Sequence, residues 1–526
     1  MSYVHFASPA AMYLLYLVGL LLVSFISYSV AFHPLRRFPG PFLAKVTDAY
    51  SGYFAYRKSL HLVTYEHMKK YGDVVRLGPN KLIFNSARAV QDIYLNPRVA
   101  KGEPYNHGMF MAKHRTLLMT TNREDHKKKS KVIGAVLNER SMRIFQPKVI
   151  KRINEFLQIL NGASQSSASV NVSDMSTYLA TDIAGDLAFG HPLNTQTRET
   201  NRFFPITLQK WSWRVNAMMQ FTPLRIYNLI MMAIKYKETM KLMVAIKNMV
   251  RAREALDRHA YHDFYSVVID EIKLGDHFLT SEMWPHGTNF LAAATIASTF
   301  FYLSRYPDTY TRLAEEVRSN FSSAEEIQQG PKLAKCKYLR SCVDESLRCS
   351  PPVLSILWRQ LDPADNSGKP FIVDGNIIPQ GTQVGVSLYA LFHNESIFED
   401  PFVYRPERWL ESADGTEDEE LKAARKMMRL AHIPFATGDR ACPGKAMAWM
   451  EIMIAIARTF WFFDFEKAPG KLGQVGELLH PAPDGQSLIP EHETEDWFAA
   501  VHDGPYLAFR RRGHFIDELE EAMREE

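Results

Sequence analysis

Apolar residues recur with helical spacing over most of this 526-residue chain. Apolar positions three and four residues apart are typical of amphipathic helices, whereas strict alternation is typical of strands. The predicted helices are 58–71, 124–138, 144–160, 175–188, 225–258, 308–320, 336–349 and 444–460. Alternation predicts a hairpin in 71–84 and a strand pair in 372–386, and the acidic, polar stretch 412–420 predicts a surface loop. The pattern therefore predicts a mainly α fold with small β-sheets.

The first apolar stretch differs from the others because residues 10–32 contain no charged side chain. This length spans a bilayer as a helix, and it exceeds the apolar core of a cleaved signal peptide. Arg36 and Arg37 follow at once, so the positive-inside rule predicts that the rest of the chain lies in the cytosol. A buried core helix is the alternative interpretation.

The chain therefore divides into three predicted parts. Residues 1–33 form a membrane anchor, 34–41 form a proline-rich hinge, and 42–526 form one large domain, because no linker or internal repeat follows Pro41. Four cysteines without paired spacing favour a reducing compartment over a disulfide framework. The small net charge of +4 argues against a nucleic-acid partner, and 12% aromatic residues suit a lipophilic pocket.

One cysteine has an unusual setting. Cys442 lies in the stretch 435–444, immediately before the helical pattern that begins near Lys445. A helix start offers free N–H groups and the positive end of the dipole, which stabilise a thiolate. Such a thiolate is a candidate metal ligand, although a lone cysteine is more often a small core residue.

The neighbours of Cys442 favour the ligand interpretation. Gly438 and Gly444 permit backbone conformations and close approaches that side chains would block. Arg440 is placed to neutralise an acidic group of a bound cofactor, and Phe435 is able to shield the sulfur from water.

The complete pattern F-x-x-G-x-R-x-C-x-G over residues 435–444 resembles the haem-binding loop of the cytochrome P-450 family. The resemblance implies that Cys442 is the axial ligand of haem b, and that the family fold encloses it. It also implies that Arg440, together with Arg359 in the stretch after a double proline, binds the haem propionates.

A second landmark is an E-x-x-R motif at Glu345 and Arg348, which share one face of a predicted helix. Alone this motif is weak evidence for a functional site, since surface ion pairs of this kind are common. Here it precedes Pro351-Pro352 and the stretch 404–409, which resembles the family's P-E-R-F element. The resemblance implies a buried structural triad of Glu345, Arg348 and Arg408 that supports the haem loop.

The basic stretch 125–131 resembles the family's helix beside the haem propionates. His126 matches a propionate-binding position, but Ser130 stands where the family usually has arginine, so Lys129 or Lys127 is expected to substitute. A solvated basic face is the alternative. Exposed lysines here are expected to steer an acidic flavoprotein reductase.

The resemblance fails in the helix that normally supplies protons to bound oxygen. The matching stretch 289–303 lacks the family's acid–threonine pair, and one to two helical turns are absent after Ala294, although the flank at 279–282 matches. Three explanations stay open. The gene model has lost a short piece; Thr295, Asn289 or water delivers protons; or the protein does not cleave oxygen.

The resemblance implies a single-pass enzyme of the endoplasmic reticulum with its haem domain in the cytosol. It would receive electrons from NADPH through a reductase and oxidise a lipophilic small molecule. The overall sequence resembles filamentous-fungal members that act in secondary metabolism, which by analogy implies a terpenoid, polyketide or alkaloid substrate. Two alternatives are a haem-dependent isomerase or dehydratase, and a haem-binding pseudoenzyme.

Overall fold

The structure, a computed structural model, describes residues 9–107, 116–257, 263, 265–266, 288–411, 419–485, 487–513, 517–519 and 521. The helices up to the middle of the chain are α1 (Pro9–Ser27), α2 (Phe42–Val46), α3 (Ala49–Tyr56), α4 (Leu60–Tyr71), α5 (Ala87–Tyr94), α6 (Pro104–His107), α7 (Arg123–Val136), α8 (Glu139–Gln165), α9 (Val172–Phe189), α10 (Phe203–Gln220), α11 (Leu224–Ile234) and α12 (Tyr236–Glu254). The later ones are α13 (Thr288–Leu303), α14 (Pro307–Asn320), α15 (Pro331–Lys335), α16 (Lys337–Cys349), α17 (Leu388–Phe392), α18 (Glu419–Ala431) and α19 (Lys445–Phe462).

Short strands complete the fold. They are β1 (Val74–Gly78), β2 (Lys81–Phe84), β3 (Val99–Lys101), β4 (Ser169–Asn171), β5 (Arg359–Leu361), β6 (Phe371–Val373), β7 (Asn376–Ile378), β8 (Gln383–Val386), β9 (Phe463–Lys467), β10 (Glu477–Pro481), β11 (Leu488–His492), β12 (Glu495–Trp497), β13 (Ala499–Val501) and β14 (Tyr506–Arg511). The largest described sheet has the order β1-β2-β8-β5-β3, and a second has the order β4-β14-β9. The predicted fold class, mainly α with small sheets, is confirmed.

Two predicted elements differ from the observed ones. The single helix predicted at 225–258 is two helices, α11 and α12, because Lys235 leaves the helical region with φ −97° and ψ 28°. The strand pair predicted at 372–386 is three strands in two sheets. A left-handed Gly381 at φ +80° turns the chain after the β6–β7 hairpin, so β8 joins the large sheet parallel to β2. Residues 279–282, the flank that matches the family, and residues 412–418 of the predicted surface loop lie outside the described residues. Glu419 and Glu420, also predicted as loop, begin α18 instead.

The largest apolar cluster joins α8, α9, α13, α16 and α19. Its centre is fully buried, as at Phe300 of α13, Leu347 of α16 and Phe460 of α19. Burial of large side chains stabilises this contact by about 1.5–3 kcal/mol each. The cluster therefore holds the helix after Cys442 rigidly against the helix that carries Thr295.

The apolar N-terminal segment Met12–Phe32 is long and apolar enough to cross a membrane, and it is almost entirely exposed. Residues 34–41 pack onto the large domain, since Leu35 and Phe38 are buried. The carbonyl oxygen of Pro39 accepts a 2.7 Å hydrogen bond from the backbone of Arg76 in β1. The end of the apolar segment is thus fastened to the first hairpin.

Candidate active site

The loop 435–444 closes on itself at the start of α19. The backbone N–H of Cys442 donates to the carbonyl oxygen of Phe435 at 2.9 Å, which brings the two ends of the loop together. Phe435 is buried, and its ring centroid lies 6.0 Å from that of Trp449 one turn into α19. This aromatic pair covers one side of the loop while the Cys442 side chain stays partly accessible.

The pKa of the Cys442 thiol is raised overall. Burial raises the pKa of the Cys442 thiol, whereas a hydrogen bond from the Gly444 N–H and the charge of Lys445 lower it. A bound metal ion deprotonates a thiol outright. A Cβ added at Gly444 would lie 3.8 Å from the Cys442 Sγ, which is an ordinary van der Waals contact. This contact therefore does not require a glycine at position 444.

Gly438 docks the loop against α5. Its φ is +75°, and a Cβ added there would lie 2.2 Å from the carbonyl oxygen of Tyr94. The Tyr94 hydroxyl donates to the carbonyl oxygen of Leu357 at 3.1 Å, and its ring lies 5.1 Å below the guanidinium of Arg359. The glycine therefore connects the cysteine loop to the segment that carries Arg359.

His126, Arg359 and Arg440, predicted from separate parts of the sequence, lie together and are buried. Burial, followed by the charges of Lys101, Arg440 and Arg359, lowers the pKa of His126 to about 3. In the part of the chain that the structure describes, Arg359 contacts no carboxylate, and Arg440 has only the exposed Asp439 at 3.6 Å. The cluster is thus a buried positive region short of counter-charge, a setting that favours an anionic ligand.

The acid–arginine motif forms a buried hydrogen-bonded unit. Glu345 receives two hydrogen bonds from Arg348, at 2.8 and 2.9 Å, and one from Nε of Arg408 at 2.9 Å. The Trp409 indole and the Arg405 backbone N–H also donate to the same carboxylate, each at 2.9 Å. Both oxygens of the Glu345 carboxylate therefore accept at least two hydrogen bonds each.

Charge pairing overcomes the cost of burying this carboxylate. Burial alone would raise the pKa of Glu345, but Arg348 and Arg408 lower it to about 2. Removing one member of such a unit leaves a buried charge unpaired, which costs roughly 3–5 kcal/mol. The unit fastens α16 to the 406–409 turn and hence to the chain that leads to the cysteine loop.

Comparison with known proteins decides the family. Residues 51–474 match the family described as Cytochrome P450. The chain is 30% identical over 518 residues to "Cytochrome P450 monooxygenase poxM" of Penicillium oxalicum, covering 94% of this chain and 93% of the relative. It is 30% identical over 521 residues to "Cytochrome P450 monooxygenase apf7" of Gibberella fujikuroi, covering 92% and 95%, and 28% identical over 504 residues to "Cytochrome P450 monooxygenase AKT7" of Alternaria alternata, covering 92% and 94%.

The chain belongs to the cytochrome P450 family. It is accordingly a monooxygenase, and membership of the family implies a haem iron. The residues present fit that group. A partly accessible sulfur at a helix start suits the iron, and a buried cation cluster short of carboxylates suits two propionates.

Sequence reasoning missed two cations of this P450. Lys101 is buried with its Nζ 2.6 and 2.9 Å from two backbone carbonyl oxygens, and it pairs across the sheet with Arg359. Burial lowers the pKa of Arg440 most, and the charge of the nearby Arg123 lowers it further. The Arg123 Nε itself lies 3.7 Å from Oδ2 of Asp362. The residues around Lys101 in the sequence do not indicate a site, because only the register of β3 with β5 brings Lys101 next to Arg359. Lys101 and Arg123 add positive charge to the cluster that contains His126, Arg359 and Arg440.

The helix that departs from the P450 pattern is α13. Ala292, Ala293 and Ala294 are buried, and the Thr295 hydroxyl donates to the carbonyl oxygen of Leu291 at 2.8 Å. That bond lies within the helix and occupies the hydroxyl proton. The backbone of Asn289 belongs to α13, but its side chain lies outside what the structure describes.

Proposed function

We propose that this P450 is a membrane-anchored monooxygenase that inserts one atom of molecular oxygen into a lipophilic small molecule. NADPH supplies the electrons through a separate flavoprotein reductase, and the second oxygen atom leaves as water. The matching relatives come from filamentous fungi, which supports a substrate from secondary metabolism, such as a terpenoid, polyketide or alkaloid.

The observation that carries the proposal is the juxtaposition of the Cys442 loop with the cation cluster. We assign Cys442 as the axial ligand and His126, Arg359 and Arg440 as the propionate ligands, with Phe435, Gly438 and Gly444 shaping the loop. When bound, haem supplies the oxygen chemistry. The chain's own residues orient it, neutralise its acid groups and shield the sulfur side from water, while Glu345, Arg348 and Arg408 hold the loop in place.

The anchor and the basic surface complete the proposal. Residues 1–33 fasten the enzyme to the endoplasmic reticulum, residues 34–41 lead from the membrane, and 42–526 form the cytosolic haem domain. The exposed Lys127, Lys128 and Lys131 of α7 lie on the helix that carries His126, and they favour an acidic reductase surface.

The first test is the spectrum of the reduced carbon-monoxide complex of full-length protein in microsomes. We expect a thiolate-type Soret band in the wild type and in Cys336→Ala, a matched control at a buried cysteine, but not in Cys442→Ala. Survival of the band in Cys442→Ala would remove the ligand assignment. NADPH-dependent product in the presence of reductase then tests the reaction.

The missing acid–threonine pair favours one second candidate, a haem-dependent isomerase or dehydratase. This candidate predicts product without NADPH or reductase, whereas the monooxygenase requires both. A normal carbon-monoxide spectrum with no product from any substrate under either condition would point to a pseudoenzyme.

A further inference from the structure

Arg359 is a buried cation in a setting that should expel it. It is 4% exposed, and Arg440 lies near enough to repel its positive charge. Its hydrogen bonds to the described residues all use one nitrogen, Nη1. They reach the backbone carbonyl oxygens of Leu357 and Trp358, at 3.4 and 3.0 Å, and the Tyr105 hydroxyl at 3.4 Å. These partners are all neutral, so another contact must stabilise the charge.

The aromatic ring of Tyr94 provides this contact. The centre of the Arg359 guanidinium lies 5.1 Å from the ring centroid, which is within the range of a cation–π interaction. Tyr94 is 5% exposed, so water screens the attraction little. Burial raises the pKa of Tyr94 to about 12, so its hydroxyl stays protonated at neutral pH. The ring therefore attracts the guanidinium without neutralising it, as a carboxylate would.

The Tyr94 hydroxyl fixes the ring beneath the guanidinium. It donates to the carbonyl oxygen of Leu357 at 3.1 Å and accepts the backbone N–H of Val386 in β8 at 3.1 Å. The Leu357 oxygen is also an acceptor for Arg359, so the tyrosine and the arginine share one partner. Arg359 pairs in turn with Val384 of β8. The ring and the cation are thus held against the same two strands.

The backbone of Tyr94 meets the cysteine loop on its other side. Its carbonyl oxygen lies where a Cβ at Gly438 would be only 2.2 Å away. Tyr94 is the last residue of α5, so its side chain reaches the strand of Arg359 while its carbonyl group reaches the loop that carries Arg440 and Cys442. One residue therefore fixes the position of Arg359 relative to that loop.

We propose that Tyr94 is the positioning residue for Arg359, and that its ring holds the guanidinium in the cation cluster while leaving the positive charge free for a haem propionate. This inference rests on the proposed function, because a propionate reaches Arg359 only if haem binds at Cys442. It also gives a reason why Arg359 contacts no carboxylate among the described residues, since an acidic partner would compete with the propionate.

The test measures the rate at which full-length holoprotein loses ferric haem to an excess of apomyoglobin. Tyr94→Phe keeps the ring and removes the hydroxyl, whereas Tyr94→trifluorophenylalanine keeps that shape and weakens the negative charge on the ring face. We expect Tyr94→Phe to lose haem at close to the wild-type rate, and the fluorinated variant to lose it several-fold faster. Tyr94→Leu, which has no ring, should lose haem about tenfold faster, the order expected for a desolvated cation–ring contact.

A double-mutant cycle separates positioning from packing. In the Arg359→Gln background, Tyr94→Leu is expected to add nothing to the rate of haem loss, because it acts through the guanidinium. The matched control is Tyr178→Leu, since the Tyr178 ring lies 4.7 Å from the guanidinium of Arg202, outside the cation cluster. This control should leave the rate of haem loss unchanged.

Equal rates of haem loss in Tyr94→Phe and Tyr94→trifluorophenylalanine would overturn the inference while leaving haem binding intact. A full additional effect of Tyr94→Leu in the Arg359→Gln background would assign Tyr94 to packing alone and overturn its positioning role. If Tyr94→Leu takes up no haem, the two variants that keep a ring still decide the question. Absence of any carbon-monoxide band in the wild type would instead defeat the proposed function itself.

Discussion

Gly438 is the residue at which the loop is most sensitive to a single methyl group. A Cβ there meets the Tyr94 carbonyl oxygen at 2.2 Å and also requires a left-handed φ of +75°. We expect Gly438→Ala to lose most of its haem in purified protein, measured by pyridine haemochrome. Gly470 has a similar φ of +66° with open space around it, so Gly470→Ala isolates the backbone cost of about 1–2 kcal/mol. Equal haem content in the two variants would contradict the steric argument.

Glu451 in α19 is a second residue whose environment predicts a measurable effect. It is buried, makes no hydrogen bond or ion pair with the described residues, and burial raises its pKa to about 8. The unfolded chain releases this proton near its ordinary pKa of 4.5, whereas the folded chain keeps it until about 8. The wild type should therefore lose stability as pH rises through this interval.

The Glu451→Gln side chain cannot ionise. The free energy of unfolding of this variant should therefore rise relative to that of the wild type between pH 4.5 and pH 8, by roughly 5 kcal/mol at most. Denaturant unfolding at several pH values measures this difference. Glu325→Gln, at an exposed carboxyl, should show no such trend. A pH-independent difference for Glu451→Gln would show that the carboxyl is ionised or partnered.

At the scale of elements, α13 carries the open question of proton delivery. Thr295 is the nearest hydroxyl after the three alanines, and it is held by the Leu291 carbonyl oxygen. If Thr295 relays protons, Thr295→Val should raise hydrogen peroxide released per NADPH consumed by several-fold, because the two electrons from NADPH would then leave with oxygen as peroxide before its O–O bond is cleaved. Thr299→Val is the matched control, since the Thr299 hydroxyl donates to its own helix at 2.7 Å in the same way. Equal peroxide yields in both variants would leave water or another group as the donor.

The elements also show what the sequence could and could not predict. Helical spacing located α4, α7, α9, α16 and α19, because apolar residues recur three and four positions apart in each, although α19 is buried on nearly every side. It missed the break at Lys235, since no glycine or proline marks it. The resemblance of residues 435–444 to the family's haem-binding loop identified Cys442 and Gly438, but the Tyr94 carbonyl that demands the glycine, and Lys101 in the cation cluster, are brought in only by tertiary contacts.

At the scale of the whole molecule, exposed apolar side chains outside the N-terminal apolar segment include a row on α11. Ile226, Ile230 and Ile234 of α11 are four residues apart and 67%, 54% and 71% exposed. Tyr227 of α11 is 3.0 Å from the hydroxyl of Tyr56 in α3, close in sequence to the anchor. An exposed apolar face of this kind suits insertion into the lipid interface.

We therefore expect protein lacking residues 1–33 to retain part of its membrane binding through α11. Replacing Ile226, Ile230 and Ile234 by glutamate in that truncated protein should weaken partition into liposomes by at least about tenfold, because three apolar side chains lose their burial in lipid. Flotation on a density gradient measures the bound fraction, and the carbon-monoxide spectrum checks that haem is retained. Leu421→Glu, on the exposed face of α18, is the control and should not change the bound fraction. If the truncated protein does not float at all, the anchor alone holds this enzyme to the membrane, and the apolar face of α11 needs another partner.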